Sequence, residues 1–299
     1  GMGDRNNRLR KKLDKWIGCP AVFCLGLFHH NHSCPDLSSC QEPRIAFIKT
    51  AALGDTIIMS AMIKEICHIY PNAHITVVCT KNNLALVKII SGIDDWFVFE
   101  MGNPVKSLEA LKKLGIFDLL LDFGAWPRIN SIISWQIKAK YKVGFKRPDT
   151  HRHYIYDAKV IHSDHLHEIE NYRNILRAAN IPIEGYIPDF RTEHQILSDV
   201  PYAVFHLYPG GSMEKQRKWA NDKWLDLGRK LYTKYGVKIL FSGGPADNNQ
   251  AEVMTNRMNT QGVPSENIAG KYSLKDMASI LQYAKVVVSV NTGIMHYAA

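Results

Sequence analysis

Two groups of residues in this chain have types and spacings suited to chemistry. The first is Lys49-Thr50-Ala51-Ala52-Leu53-Gly54-Asp55, an ammonium and a carboxylate joined by small residues. It follows the apolar run Ile45-Ala46-Phe47-Ile48 and precedes helical spacing of Ile57, Met59, Met62, Ile66 and Ile69. Such a run reads as a strand buried in a parallel sheet, followed by an amphipathic helix from Thr56 to Tyr70. Small residues at 51, 52 and 54 let a ligand approach the backbone, and a helix N-terminus offers free N–H donors. Asp55 falls where an N-cap falls, at the carboxyl end of a strand, which is where open α/β sheets bind ligands. It either caps the helix or faces a ligand.

The second group lies at three strand ends in the second half. Tyr202–Leu207 breaks at Pro209-Gly210-Gly211-Ser212, Val237–Phe241 at Ser242-Gly243-Gly244-Pro245, and Lys285–Val290 at Asn291-Thr292-Gly293. Turns of this kind ahead of helices collect backbone N–H groups and helix dipoles, which suits a pyrophosphate. No GxGxxG run occurs, which disfavours a nicotinamide or flavin cofactor.

The elements that must position these groups alternate. Beyond the first unit, strands are expected at His74–Cys79, Trp96–Phe99, Phe117–Asp122 and Tyr141–Phe145. Helices are expected at Leu84–Ile90, Ser107–Leu114, Ile129–Ile137 and His165–Ala179. The second half repeats the pattern with helices at Asp222–Tyr235, Asn249–Asn259 and Ser273–Tyr283, and with another entered at Asn291. Alternation means mainly parallel sheets with helices on both faces, so the fold class is α/β. The expected domains are an arm at 1–42, a Rossmann-like domain at 43–187, a proline-bearing linker at 188–200 and a second Rossmann-like domain at 201–299. The last helix is expected to be cut short at Ala299.

Composition narrows the classes. With 299 residues, 46% hydrophobic and 22% charged, the chain suits two soluble domains. A formal net charge of +9 favours an anionic partner, and the absence of an arginine-rich or aromatic-interleaved motif weakens nucleic acid as that partner. The arm is basic (Arg5, Arg8, Arg10, Lys11, Lys12, Lys15) and then apolar from Trp16 to Phe28. That stretch is too short to cross a bilayer, and Pro20 interrupts it. It either lies on an anionic membrane surface or packs on the protein. Localisation is expected to be cytoplasmic, with peripheral attachment to the inner face of the membrane. Cys19, Cys24, Cys34 and Cys40 accompany His29, His30 and His32, but their intervals fit no common zinc pattern, so no metal is expected. Cys67 and Cys79 read as buried, reduced thiols.

Taken in order, KTAALGD (49–55), FDLLLDFGAWPR (117–128), KVGF (142–145), YPGGS (208–212), RKW (217–219), SGGP (242–245), AGKYSL (269–274) and NTGIMH (291–296) resemble glycosyltransferase family 9, the heptosyltransferases of lipopolysaccharide core synthesis. The resemblance implies the GT-B fold, with two Rossmann-like domains facing a central cleft. The nucleotide-sugar, ADP-heptose by this reading, would sit in the C-terminal domain and a glycolipid or lipopolysaccharide-core acceptor in the N-terminal one. No cofactor and no metal is implied. Asp55 matches the general base of an inverting transfer. Ser212, Arg217, Lys218, Tyr272, Asn291, Thr292, Gly293 and His296 match donor-binding positions, and many family members carry Asp where this chain has Asn291. Lys49, Gly54, Arg128, Lys146 and Arg147 are expected on the acceptor side.

Plainer readings stand beside these. Lys49 reads equally as a solvated strand end, Arg217 and Lys218 as a basic start to a helix, and Arg128, Lys146, Arg147 and Arg152 as solvated cations. Trp219 and Trp224 read as core anchors, and His206 as buried in its strand. The rival functions are a sugar-nucleotide epimerase and a non-catalytic, membrane-peripheral nucleotide-binding scaffold.

Overall fold

A strand covered by helices on both faces cannot alternate polar and apolar residues, and β1 (Arg44–Ile48) does not: every residue after Arg44 is buried. The computed structural model describes residues 32–50, 53–124, 128–146, 155–190, 199–206, 214–289 and 292–296, with 128, 214–220, 289 and 292–296 described by backbone alone. The chain divides into two units, Gly1–Pro188 and Asp189–Ala299. After β1 the first unit runs α1 (Leu53–Ile69), β2 (His74–Cys79), α2 (Leu84–Ile89), β3 (Asp95–Val98), α3 (Pro104–Leu111), β4 (Ile116–Phe117), β5 (Leu119–Asp122), α4 (Arg128–Gln136), β6 (Lys138–Ala139), β7 (Lys142–Lys146), β8 (Ala158–Ile161) and α5 (Glu168–Ala178). Its main sheet is parallel in the order β3-β2-β1-β5-β7-β8, with β4 and β6 forming a small ribbon. This is the doubly wound order, in which the winding reverses between β1 and β5 and leaves a crevice at their carboxyl ends.

Side chains cover both faces of that sheet. On one, Ala46, Ile48 and Leu120 pack with Leu111 of α3 and Ile133 of α4. On the other, Phe47 stacks on Phe123 at 5.2 Å between ring centroids, and Phe123 meets Tyr172 of α5 at 4.9 Å. Helix α1, expected to be amphipathic, is instead buried nearly all round, from Thr56 to Ile63 and again at Glu65 and Ile66. The expected strand 117–122 breaks at Asp118, whose carboxylate accepts from the Arg44 amide and from Lys140 Nζ, both at 2.8 Å. Strand β8 is missing from the sequence reading, and α5 begins three residues later than expected.

The second unit runs β9 (Tyr202–His206), α6 (Glu214–Tyr235), β10 (Lys238–Ser242), α7 (Asn248–Thr260), β11 (Ser265–Asn267), α8 (Leu274–Tyr283), β12 (Val286–Ser289) and β13 (Thr292–His296). The order is β11-β10-β9-β12-β13, parallel except for β13. Phe205, Phe241, Trp224 and Met258 centre its core, so Trp224 is the anchor it was read to be. The helix expected from Asn291 is not formed. Thr292–His296 folds back as an antiparallel strand on β12. Among the described residues, no helix is long and apolar enough to cross a membrane. The basic and apolar stretch 5–28, with Cys19, Cys24, His29 and His30, lies outside the described residues. Further along the arm, His32 pairs with Asp157 at 3.1 Å.

The stretch after α5, ahead of the expected linker, is fastened rather than loose. Glu65, 1% exposed in the middle of α1, accepts three consecutive backbone N–H groups, from Glu184 (2.8 Å), Gly185 (2.8 Å) and Tyr186 (2.7 Å). Gly185 adopts φ +95°, which curls the three amides around one carboxylate. Past the boundary, the Phe190 amide donates to Gln282 Oε1 of the second unit at 2.7 Å. Replacing Glu65 by Ala strands three donors, so Glu65→Ala is expected to lower stability by about 2–3 kcal/mol in urea unfolding. A loss under 0.5 kcal/mol would show that the clasp carries little.

Candidate functional site

The crevice end of the first unit is built from the residues that follow β1. Lys49 does not reach solvent: it is 3% exposed, and its ammonium donates to Asp55 Oδ2 at 3.3 Å and to the Phe123 carbonyl at 3.4 Å. The ring of Tyr172 lies 5.6 Å from the same nitrogen. Asp55 is not an N-cap. The helix starts at Leu53, so the carboxylate sits inside the first turn, where the helix dipole favours a negative charge. Gly54 beside it is buried.

Burial pushes the Asp55 carboxyl above the usual carboxylate range, and the Lys49 ammonium pulls it part of the way back. Glu168 adds to the rise, and His162 opposes it. Glu168 opens α5 and holds His162 Nε2 at 2.9 and 3.0 Å. The resulting group of two carboxylates, an ammonium and an imidazole is one that can accept a proton.

A layer of buried polar contacts holds the loop beneath. Asn83 Nδ2 donates to the Lys49 carbonyl at 2.7 Å and to Thr56 Oγ1 at 3.0 Å, and Thr80 Oγ1 donates to the Thr50 carbonyl at 2.6 Å. Thr50 Oγ1 donates to Asn130 Oδ1 at 2.8 Å. At the end of β5, Asp122 is fully buried and accepts from Gly124 N (2.9 Å), Ser134 Oγ (3.1 Å) and the Tyr156 hydroxyl. A Cβ on Gly144 would lie 2.4 Å from the Tyr156 ring, so only glycine at that place in β7 lets the tyrosine reach Asp122. Asn130 Nδ2 is buried without a hydrogen-bond partner.

In the second unit the matching end is lined by β9, β10 and β12. The register sets His206 beside Ser242 on one side and Ser289 on the other. His206 Nδ1 lies 3.0 Å from Ser242 Oγ, and burial lowers its pKa, with Asp247 countering, so the ring is neutral at pH 7. Asp247 Oδ2 takes the Gly244 amide at 2.9 Å, which closes the Ser-Gly-Gly-Pro turn ahead of α7.

The expected site residues are thus distributed unevenly. Lys49, Gly54 and Asp55 come together. Arg128 is the first residue of α4, and Lys146 is exposed at the end of β7. Arg217 and Lys218 lie within α6 rather than in a turn before it, and Tyr272 is half-buried just ahead of α8. The strand β13 separates two residues that were expected to share a helix start. Thr292 pairs with Ser289 at the carboxyl end of β12, whereas His296 pairs with Val286 at the opposite end. Four residues of strand are about 13 Å. Arg147, Arg152, Ser212 and Asn291 lie outside the described residues. Among the described residues, no group of three His, Cys, Asp or Glu is placed to hold a metal ion. Sequence reasoning missed Glu65, Asp122, Asn130, Tyr156, His162 and Glu168. The available signal was polar residues standing at positions where an apolar periodicity asks for apolar ones.

Comparison with known proteins decides the family. The family model for glycosyltransferase family 9 (heptosyltransferase) matches residues 128–299, more than half of the chain. The chain belongs to that family. The lipopolysaccharide core heptosyltransferase OpsX of Haemophilus influenzae is 21% identical over 271 residues, covering 85% of this chain and 75% of that protein. Two crystal structures share the fold at 18% identity. They are a glycosyl transferase family 9 protein from Veillonella parvula (TM-score 0.50, 87% of this chain and 77% of that one) and the E. coli heptosyltransferase WaaC with ADP-2-deoxy-2-fluoro heptose (TM-score 0.51, 83% of each). This family 9 chain is therefore a glycosyltransferase with the two Rossmann-like units of the GT-B fold. Membership decides against the epimerase reading.

The pair Lys49–Asp55 gives a measurable consequence. Lys49→Met removes the cation that draws the Asp55 pKa down, so the carboxyl is expected to titrate higher by about 1 pH unit or more in a carbon-13 NMR titration. An unchanged midpoint would show that the pair is not coupled.

Proposed function

We propose that this glycosyltransferase moves heptose from ADP-heptose to a hydroxyl of a lipopolysaccharide-core acceptor with inversion, and that Asp55 is the base. The observation that carries this reading is the carboxylate held beside the buried Lys49 at the crevice end of the first unit's sheet. Asp55 takes the proton from the acceptor hydroxyl while that oxygen bonds to the anomeric carbon. The bond from that carbon to the diphosphate breaks on the opposite face, and ADP leaves with the electron pair. Pulling the proton away as the bond forms lowers the barrier, and a carboxyl with a raised pKa is a stronger base than an ordinary one.

The growing charge on the diphosphate is assigned to the second unit, to Arg217 and Lys218 on α6, to Ser212 and Thr292, and to the amides of the glycine turns. Tyr272 is assigned to the nucleobase. His296 is left out of this set, because its strand carries it to the far end of β12. The residues matched to an acceptor, Arg128, Lys146 and Arg147, are cationic and suit its phosphates or carboxylates. Support for the sugar comes from the relatives, one named a lipopolysaccharide core heptosyltransferase and another solved with an ADP-heptose analogue.

A thermal-shift panel of nucleotide sugars tests the donor. ADP-heptose at about 100 times its Kd is expected to add about 2.7 kcal/mol of stability, and indifference to every nucleotide overturns the reading. Asp55→Asn is expected to keep the donor-induced shift and to lose about 10²–10⁴-fold in turnover. Because the base acts ionised, wild-type kcat/KM should fall as pH drops through the raised Asp55 pKa, above the range of an ordinary carboxylate. Near-normal turnover in Asp55→Asn removes it from the role.

The stretch 5–28 is assigned to the anionic membrane surface that would present a lipid-borne acceptor. Removing residues 1–31 is expected to abolish cosedimentation with anionic vesicles, and unchanged binding would reassign that stretch to packing.

A further inference from the structure

The mechanism just proposed uses one carboxylate, yet the crevice end of the first unit holds others, and one of them lies on the helix that packs on α1. Glu168 is the first residue of α5, its side chain about a quarter exposed, and it grips His162, whose imidazole is only 5% exposed. His162 is itself fixed from four directions. Glu168 meets Nε2 at 2.9 and 3.0 Å, Asn171 Nδ2 lies 3.4 Å from the same nitrogen, Asp164 stands 3.6 Å from Nδ1, and the ring sits edge-on to Phe145 at 5.1 Å. A glutamate needed only to start a helix does not require so rigid a partner.

Helix geometry links this pair to the base. Residues four apart on a helix share a face, with Cβ atoms about 5–6 Å apart. Tyr172, four residues after Glu168, is the ring that lies 5.6 Å from Lys49 Nζ, and that nitrogen is the one paired with Asp55. The face of α5 that carries Glu168 is therefore the face turned toward the Lys49–Asp55 pair, and α1 and α5 pack on each other there.

The geometry points to Glu168, clamped by His162, as a positioning residue of the Asp55 site: a second carboxylate on the α5 face turned toward Lys49 and Asp55. The inference rests on the reading of Asp55 as the base. Glu168 and His162 act through Asp55 and do not touch the reacting atoms. Among the described residues, the charged groups that act on Asp55 are Lys49 from the end of β1, Glu168 from α5 and His162 from the segment after β8, with Asp164 beside His162 at 3.6 Å. Asp122, at the end of β5, is turned to Gly124, Ser134 and Tyr156. The charge of Glu168 makes the Asp55 carboxylate harder to form, and His162 makes it easier.

The test reads the Asp55 carboxyl directly by carbon-13 NMR titration, alongside kcat/KM against pH with ADP-heptose and a lipopolysaccharide-core acceptor. Glu168→Gln is expected to move the Asp55 midpoint, and with it the acidic limb of kcat/KM, down by about half a pH unit or more. Glu168→Asp, which keeps the charge, is expected to restore the wild-type midpoint. His162→Gln is expected to move it up, and this variant carries the test if Glu168→Gln does not fold. A midpoint that stays in place in folded Glu168→Gln, or that falls in His162→Gln, overturns the inference. Failure of the underlying reading looks different: Asp55→Asn would then retain turnover whatever the Glu168 variants do to the titration.

Discussion

The first unit is organised around one buried cation. Lys49 has almost no contact with water, and an ammonium in that position must be compensated or it destabilises the fold by several kcal/mol. Its compensation comes from three parts of the chain: Asp55 at the start of α1, the Phe123 carbonyl after β5, and the Tyr172 ring on α5. The end of β1 is thereby tied to both neighbouring layers. The same requirement holds Asp55 in place before any substrate arrives, so under the proposed mechanism one pair serves both folding and chemistry. It also means that removing the Asp55 charge leaves Lys49 uncompensated, and Asn, which keeps the shape and an acceptor oxygen, is the replacement that disturbs the loop least.

Preorganisation of this kind needs rigid support, and the polar layer under the loop supplies it. Hydrogen bonds from Asn83 and Thr80 hold the Lys49 and Thr50 carbonyls, so the backbone turns away from the sheet in one fixed way. Across the crevice, Asp122 gathers Gly124, Ser134 and Tyr156. Buried polar groups cost stability unless each is paired, and here nearly all of them are. Glycines make the close approaches possible: a Cβ at Gly124 would lie 1.8 Å from Asn130 Nδ2, and one at Gly144 would strike Tyr156.

Local periodicity and strand–helix alternation carried most of the fold into the sequence, because parallel strands and their covering helices are written as contiguous apolar runs. The positions of Lys49 and Asp55 were legible for the same reason, since a strand end in an open α/β sheet is a place that alternation alone defines. What stayed hidden depends on partners far away in the chain. Glu65 looks like one polar residue in a helix until Glu184, Gly185 and Tyr186 bring their amides to it. His162 reads as part of a polar stretch and Glu168 as one more polar residue near the start of an expected helix, because Lys49 and Asp55, more than a hundred positions earlier, share no periodicity with them. Strand β8 is four residues long, with two of them exposed at a sheet edge, too brief to register as alternation. At β13 a local pattern that read as a helix start instead forms a strand that pairs back on β12.

Under the proposed mechanism the two units meet the requirements of group transfer with opposite electrostatics. A base must carry negative charge beside a hydroxyl, and the first unit concentrates carboxylates at its crevice end with one buried lysine to keep them tolerable. A departing diphosphate needs the reverse. The corresponding end of the second unit presents His206, neutral at pH 7, the hydroxyl of Ser242 and a glycine turn, and its nearest carboxylate, Asp247, is engaged by the Gly244 amide. Had both units carried free carboxylates at their strand ends, a diphosphate would be repelled from each. The same doubly wound plan, filled with different residues at the strand ends, therefore gives one unit suited to accepting a proton and one suited to accepting an anion.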